Sequence, residues 1–147
     1  RVPHMRISDV LQAKSIKDVV TIRPDAGVLE LLATLSEKNI GAVVVSSDGT
    51  SLDGIVSERD VVRTLHHDGT VIKNVVSAIM TTEVSTCSPD DELDEVMSVM
   101  TEGRFRHIPV VDAGQVVGVV SIGDLVKHKI DQLQFERDQL DSYVHQQ

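Results

Sequence analysis

The chain has 147 residues, enough for one ordinary domain with a real core, and its 41% hydrophobic and 25% charged residues are normal for a soluble globular fold. With no Trp, one Tyr and two Phe, that core has to be filled by Val, Ile, Leu and Met. A balance of 14 basic against 23 acidic residues gives a net charge of −9, which argues against a nucleic-acid backbone as partner; runs such as Val43–Val45 are far too short to span a membrane.

Arg1 to His4, ahead of Met5, read as an expression remnant, and no signal peptide is legible. Residues 5–66 form a first unit that opens on a short helix, with Ile7, Val10 and Leu11 at i, i+3, i+4, and a Lys14-Ser15 loop. Val19–Ile22 is a short extended run. Pro24 follows it, and Asp25–Lys38 reads as a helix with Val28, Leu31, Leu32 and Leu35 on one face. Gly41 leads into the strand Ala42–Val45, and a Gly-containing turn connects it to Gly54–Val56 as a hairpin. Ser57 starts a closing helix, and Asp60 three residues later completes a capping-box pattern.

The same order returns over residues 67–128. Thr21-x-x-Pro24 returns as Thr86-x-x-Pro89, and Leu93, Val96, Met97 and Met100 repeat the helical face. Ile108–Val111 and Val116–Val120 repeat the hairpin, and Ser121 and Asp124 repeat the cap. Gly54–Arg63 and Gly118–Lys127 stand 64 residues apart. Residues 129–147 remain as a polar C-terminal helix. In it Ile130, Leu133, Leu140 and Val144 approach a heptad seam, with Arg137 at the missing position. Such a stripe does not hold a helix alone, so it packs either on its own domain or on the same helix of a second subunit. The lone Cys87 excludes an intrachain disulfide and fits a reducing, cytoplasmic setting. Its alignment with Ile22 makes it a buried apolar residue rather than a redox group. The fold class is α/β (α+β): two tandem β-α-β-β-α repeats, flanked by an N-terminal and a C-terminal helix, with a cleft for each repeat.

Two readings are open for Ser57/Asp60 and Ser121/Asp124. One is capping alone. The other uses the helix start to receive an anion while the carboxylate accepts two hydrogen bonds from a ribose diol. Arg104-Phe105-Arg106-His107 is a basic anomaly on an acidic chain. It is either a solvated edge or an anion site, since arginine binds phosphate through two parallel hydrogen bonds. Its counterpart Lys38–Gly41 lacks the cluster, so the two clefts should be unequal. His66-His67-Asp68 lacks the further ligands a metal needs. No Ser-His-Asp or Cys-His set, Walker loop or Rossmann fingerprint is present, which leaves enzymatic function the weakest reading.

The repeat resembles the CBS domain, and the pair resembles a Bateman module of the kind found in stand-alone bacterial CBS-pair proteins. The resemblance is carried by Thr-x-x-Pro, by Arg106–Asp112 (Arg-His-Ile-Pro-Val-Val-Asp), and by Gly-hydrophobic-hydrophobic-Ser-x-x-Asp in both halves. It implies two α/β units joined through their sheets about a pseudo-two-fold, and a disc-like homodimer of such modules. It also implies a non-catalytic role with no required cofactor and an adenine nucleotide as ligand: AMP foremost, otherwise ADP, ATP or NAD. By position, Asp124 and Asp60 would hold ribose hydroxyls, with Ser121 and Ser57 beside them and Thr86 and Thr21 near the ligand. Ile108 and Pro109, with Ala42 and Val43, would flank adenine. Arg106 and His107 would contact phosphate, and Arg59 and Lys14 would be further phosphate partners. Family clefts draw on both repeats, and the sequence does not assign which repeat supplies the phosphate contacts of each site. The implied function is a nucleotide sensor reporting to a separate, unknown protein. An assembly module with degenerate clefts and an S-adenosylmethionine binder are the alternatives. Asp124→Ala separates the first two, abolishing nucleotide binding only in the sensor.

Overall fold

The computed structural model describes residues 5–14 and 19–145; the expectations for Arg1–His4 and for Ser15 lie outside the described residues. A short α1 (Ile7–Ala13) precedes β1 (Thr21–Ile22), α2 (Val28–Lys38), β2 (Ala42–Val45), β3 (Gly54–Ser57) and α3 (Glu58–His67). The second repeat supplies α4 (Leu93–Gly103), β4 (His107–Asp112), β5 (Gln115–Ser121) and α5 (Ile122–His145). β2 pairs parallel with β1 and antiparallel with β3, while β4 and β5 form the second hairpin. The opening strand of the second repeat is reduced to a bridge. The Cys87 amide donates to the Pro109 carbonyl at 3.0 Å, and the Val111 amide to the Cys87 carbonyl at 2.8 Å.

Helix α2 begins at Val28 rather than Asp25, because the backbone before it is engaged by the linker that follows α3. The Val76 amide donates to the Ala26 carbonyl and the Ser77 amide to that of Pro24, while the Val28 amide donates to the Asn74 carbonyl. The same linker closes the first core, where Val71 and Val76 join Leu31, Leu35, Val43, Val56 and Val61. The second core is closed by α1: Ile7 and Val10 pack with Leu93, Met100, Ile108, Val120 and Leu125. The helix that precedes the first repeat in sequence therefore packs on the second. Both its anchors are fully buried, and each such side chain contributes about 1.5–3 kcal/mol.

Side chains alternate along a strand. Val43 and Val45 enter the first core, which turns Ala42 and Val44 to the opposite face, and these are buried too. In β4, Ile108 and Val110 enter the second core and leave His107 and Pro109 on the other face. This second buried face is where the sheets of the two repeats meet.

The C-terminal helix expected to begin near residue 129 is instead one with the closing helix of the second repeat. α5 runs unbroken for 24 residues. After Gly123 it contains neither Gly nor Pro, so nothing in the chain stops propagation.

Candidate functional site

Two clefts open where the repeats meet. Each combines the start of a closing helix from one repeat with the segment before the first hairpin strand of the other. The first, about 630 Å³, brings Ser57, Arg59, Asp60 and Arg63 opposite Arg104, Arg106 and His107. The second, about 240 Å³, brings Ser121 and Asp124 opposite Asn39, Ile40 and Gly41, with Lys14 beside them. The basic cluster of the second repeat thus lines the same cleft as the carboxylate of the first.

Both helix starts are capping boxes. The Asp60 amide donates to Ser57 Oγ at 3.2 Å, and the Ser57 amide donates back to Asp60 Oδ2 at 2.8 Å. The Asp124 amide donates to Ser121 Oγ at 3.1 Å, and the Ser121 amide to Asp124 Oδ2 at 2.9 Å. The first helical amides, of Glu58 and Ile122, donate to the carbonyls of Gly41 and Arg106 at 3.1 and 2.8 Å. Of the first three helical amides, those of Arg59 and Gly123 have no hydrogen-bond partner among the described residues. The anion-receiving helix start is narrowed to one backbone donor per cleft.

Charge separates the two clefts. The first carries the guanidinium groups of Arg59, Arg63, Arg104 and Arg106 against the carboxylates of Glu58, Asp60 and Glu83. Among the described residues, Arg59, Arg104 and Arg106 form no ion pair, and Arg63 lies 3.9 Å from Asp60 Oδ1. Arg104 ends α4 in the left-handed region at φ 58°, the position that Asn39 fills after α2 at φ 53°. Asparagine tolerates that backbone and arginine does so at a cost. The Arg104 side chain lines the first cleft.

In the second cleft Lys14 Nζ donates to Asp124 Oδ2 at 2.7 Å and to the Val119 carbonyl at 3.0 Å. Burial opposes the Asp124 charge, but the Lys14 hydrogen bond and the Ser121 amide outweigh it, and the carboxyl is held below its ordinary value. Lys14, expected as a phosphate partner, instead occupies the carboxylate assigned to ribose. A charge-assisted bond of this kind contributes about 2 kcal/mol where water is partly excluded, and the pair is less than one-third exposed.

His107 borders both clefts. Its ring lies over Gly41, where a Cβ would come within 3.2 Å of it. Burial first, and then the charge of Lys14, hold its pKa below the ordinary value, against the pull of Asp124 and Glu58. At neutral pH the imidazole is uncharged. Cys87 is buried, and burial, with the Asp91 charge, pushes its thiol up to about 12. That value suits the packing role and removes thiolate chemistry at neutral pH.

Ala42 borders both clefts. Thr21, Thr86, Val43, Ile108 and Pro109 border neither: Val43 and Ile108 belong to the cores, and Pro109 to the face between the sheets. Arg63, unremarked in the sequence reading, stands four residues after Arg59 on α3, a spacing that puts both on one helix face. Among the described residues no group of three or more His, Cys, Asp or Glu could hold a metal. No described helix is long and apolar enough to cross a membrane.

The family model for the CBS domain matches residues 7–67 and 76–131. The chain belongs to the CBS-domain family. This CBS pair is 33% identical over 146 residues to the Arabidopsis thaliana CBS domain-containing protein CBSX3, mitochondrial, spanning 94% of this chain and 71% of the relative. It superposes on the CBS-domain containing protein ATU1752 from Agrobacterium tumefaciens with a TM-score of 0.79 and 41% identity, covering 84% of this chain and 92% of that one. The CBS domain pair of protein MJ0100, solved in complex with 5-methylthioadenosine and S-adenosyl-L-methionine, superposes with a TM-score of 0.78 at 25% identity, covering 88% and 99%.

Proposed function

We propose that this CBS pair is a non-catalytic sensor that binds an adenine nucleotide in the first cleft. Asp60 accepts the ribose hydroxyls, and Arg59, Arg63, Arg104 and Arg106 receive the phosphates. One observation carries the reading: three guanidinium groups without ion-pair partners among the described residues line the larger cavity beside a capped helix start. A cavity with four arginines favours a ligand with more than one phosphate over AMP, which the resemblance puts first. It also disfavours the cationic sulfonium of S-adenosylmethionine, the ligand of the MJ0100 pair. The protein acts as a homodimer and reports to a separate protein. A buried, protonated Cys87 suits a reducing compartment such as the cytoplasm.

Thermal shift and calorimetry with AMP, ADP, ATP, NAD and S-adenosylmethionine test this. A ligand at a hundred times its dissociation constant adds about 2.7 kcal/mol to stability. ATP and ADP are expected to shift melting most. No shift with any of the five at millimolar concentration contradicts the proposal. The competing assembly reading draws its support from the second cleft alone, where Lys14 already fills the acidic position.

A further inference from the structure

In the duplicated hairpins Ala42 pairs with Ser57 and His107 with Ser121, so each stands directly across from the serine that caps a closing helix. Residues paired in this way lie about 5 Å apart at Cα. Register therefore ties His107 to the Ser121–Asp124 cap of the second cleft, while its ring crosses to lie over Gly41 of the other repeat. Glu58 Oε1 comes within 3.9 Å of the same point, the position a Cβ on Gly41 would take. The first repeat fills the equivalent place with alanine, so the hairpin itself does not call for a histidine. Among the described residues, half-buried His107 is the one titratable group that lines both clefts.

The charges that face it come from both sides. Lys14, one residue past α1, and Asp124 on α5 act from the second cleft; Glu58 on α3 and neighbouring Arg106 act from the first. After burial, Lys14 is the main opponent of a proton on His107, with Arg106 adding to it, while Asp124 and Glu58 draw the proton in. Such interactions are reciprocal. An imidazolium repels the Lys14 ammonium and competes with it for Asp124, whose Oδ2 Lys14 Nζ holds at 2.7 Å. Lys14 is free to answer without unfolding anything. Ile7 and Val10 keep α1 in the second core, and only the flexible four-carbon stem of the lysine has to swing. We infer that His107 links the two clefts: its charged form loosens Lys14 from Asp124, so an anion bound in the first cleft is read out as a released ammonium in the second. Acid works the latch in the same direction. The anion arm rests on the proposed nucleotide reading, and the acid arm does not.

Trace acetylation of the full chain reads the latch. The rate at Lys14 relative to that at exposed Lys73, followed by peptide mass spectrometry, cancels the pH dependence that lysine amines share. Asp124 stays ionised throughout, since its pKa lies below the ordinary 3.8. The Lys14-to-Lys73 ratio should rise at least about fivefold between about pH 8 and about pH 5.5, as His107 takes its proton. ATP, at a concentration that saturates each protein, should raise the ratio at about pH 7.5 as well. Both rises should vanish in His107→Gln and in His107→Ala, the second of which copies Ala42 of the other repeat. A wild-type ratio that is flat with pH overturns the latch. So does a rise that persists in both variants, because another group then drives it. ATP that binds in calorimetry without moving the ratio overturns the link to the first cleft. If ATP does not bind, the nucleotide reading fails and the pH series alone decides the latch.

Discussion

The two clefts share a capping box, a hairpin and a sheet interface, yet they are chemically opposite. One is a cavity of about 630 Å³ with three guanidinium groups that form no ion pair among the described residues; the other is about 240 Å³, with its carboxylate held by Lys14. A duplicated scaffold preserves geometry, while a few side chains outside the cap decide whether a cleft is open for an anion or filled from within. Those side chains come from elsewhere in the chain. Lys14 stands 110 residues from Asp124, and Arg104 and Arg106 reach across to the helix start of the other repeat.

The largest change should come from removing the basic wall. Arg104→Ala with Arg106→Ala deletes two charge-assisted contacts and should weaken ATP binding about a hundredfold in calorimetry. An unchanged affinity would mean that the two clefts do not differ in the way their charges suggest.

The second experiment tries to make the clefts alike. Lys14→Met frees Asp124, so nucleotide stoichiometry should rise from one towards two per chain. The same variant should flatten the acid limb of stability. Because the folded pKa of Asp124 is depressed, its contribution is complete above the ordinary value of 3.8 and is lost as pH falls through the folded value. The wild type should therefore lose more stability than Lys14→Met on acidification below about pH 4. Equal acid sensitivity would show that Lys14 leaves Asp124 unaffected.

A smaller effect concerns the histidine between the clefts. His107 is uncharged at neutral pH because its pKa is depressed, and a phosphate beside it favours the protonated form. Nucleotide affinity in the first cleft should rise about threefold from pH 8 to pH 6, with proton uptake detectable by comparing buffers of different ionisation enthalpy. His107→Gln should abolish that uptake.

A further comparison concerns the two cores and stability rather than binding. Cys87 and Ile22 occupy equivalent positions, both nearly buried. Ile22→Ala should cost about 2–4 kcal/mol and Cys87→Ala about 1 kcal/mol in chemical denaturation, in proportion to the volume removed.

Much of this was legible in the sequence because it is local. The helical faces Val28–Leu35 and Leu93–Met100, both hairpins and both Ser-x-x-Asp boxes are short-range patterns, and the duplication reinforces each. The inequality of the clefts was legible too, from the basic cluster at Arg104–His107. What stayed hidden depends on long-range packing. Nothing local sends Ile7 and Val10 to the second core, or Val71 and Val76 back to the first. The start of α2 shifted because linker residues Asn74, Val76 and Ser77 claim the backbone before it. The break foreseen before the C-terminal helix came from a change in polarity, which does not end a helix when no Gly or Pro intervenes.

The account rests on the pairing of Asp60, not Asp124, with the basic wall. Calorimetric titration of ATP into Asp60→Ala and Asp124→Ala decides it directly. The tight site should be lost, by at least about tenfold in affinity, in Asp60→Ala and kept in Asp124→Ala. Loss in Asp124→Ala with retention in Asp60→Ala would place the nucleotide in the other cleft and contradict the account.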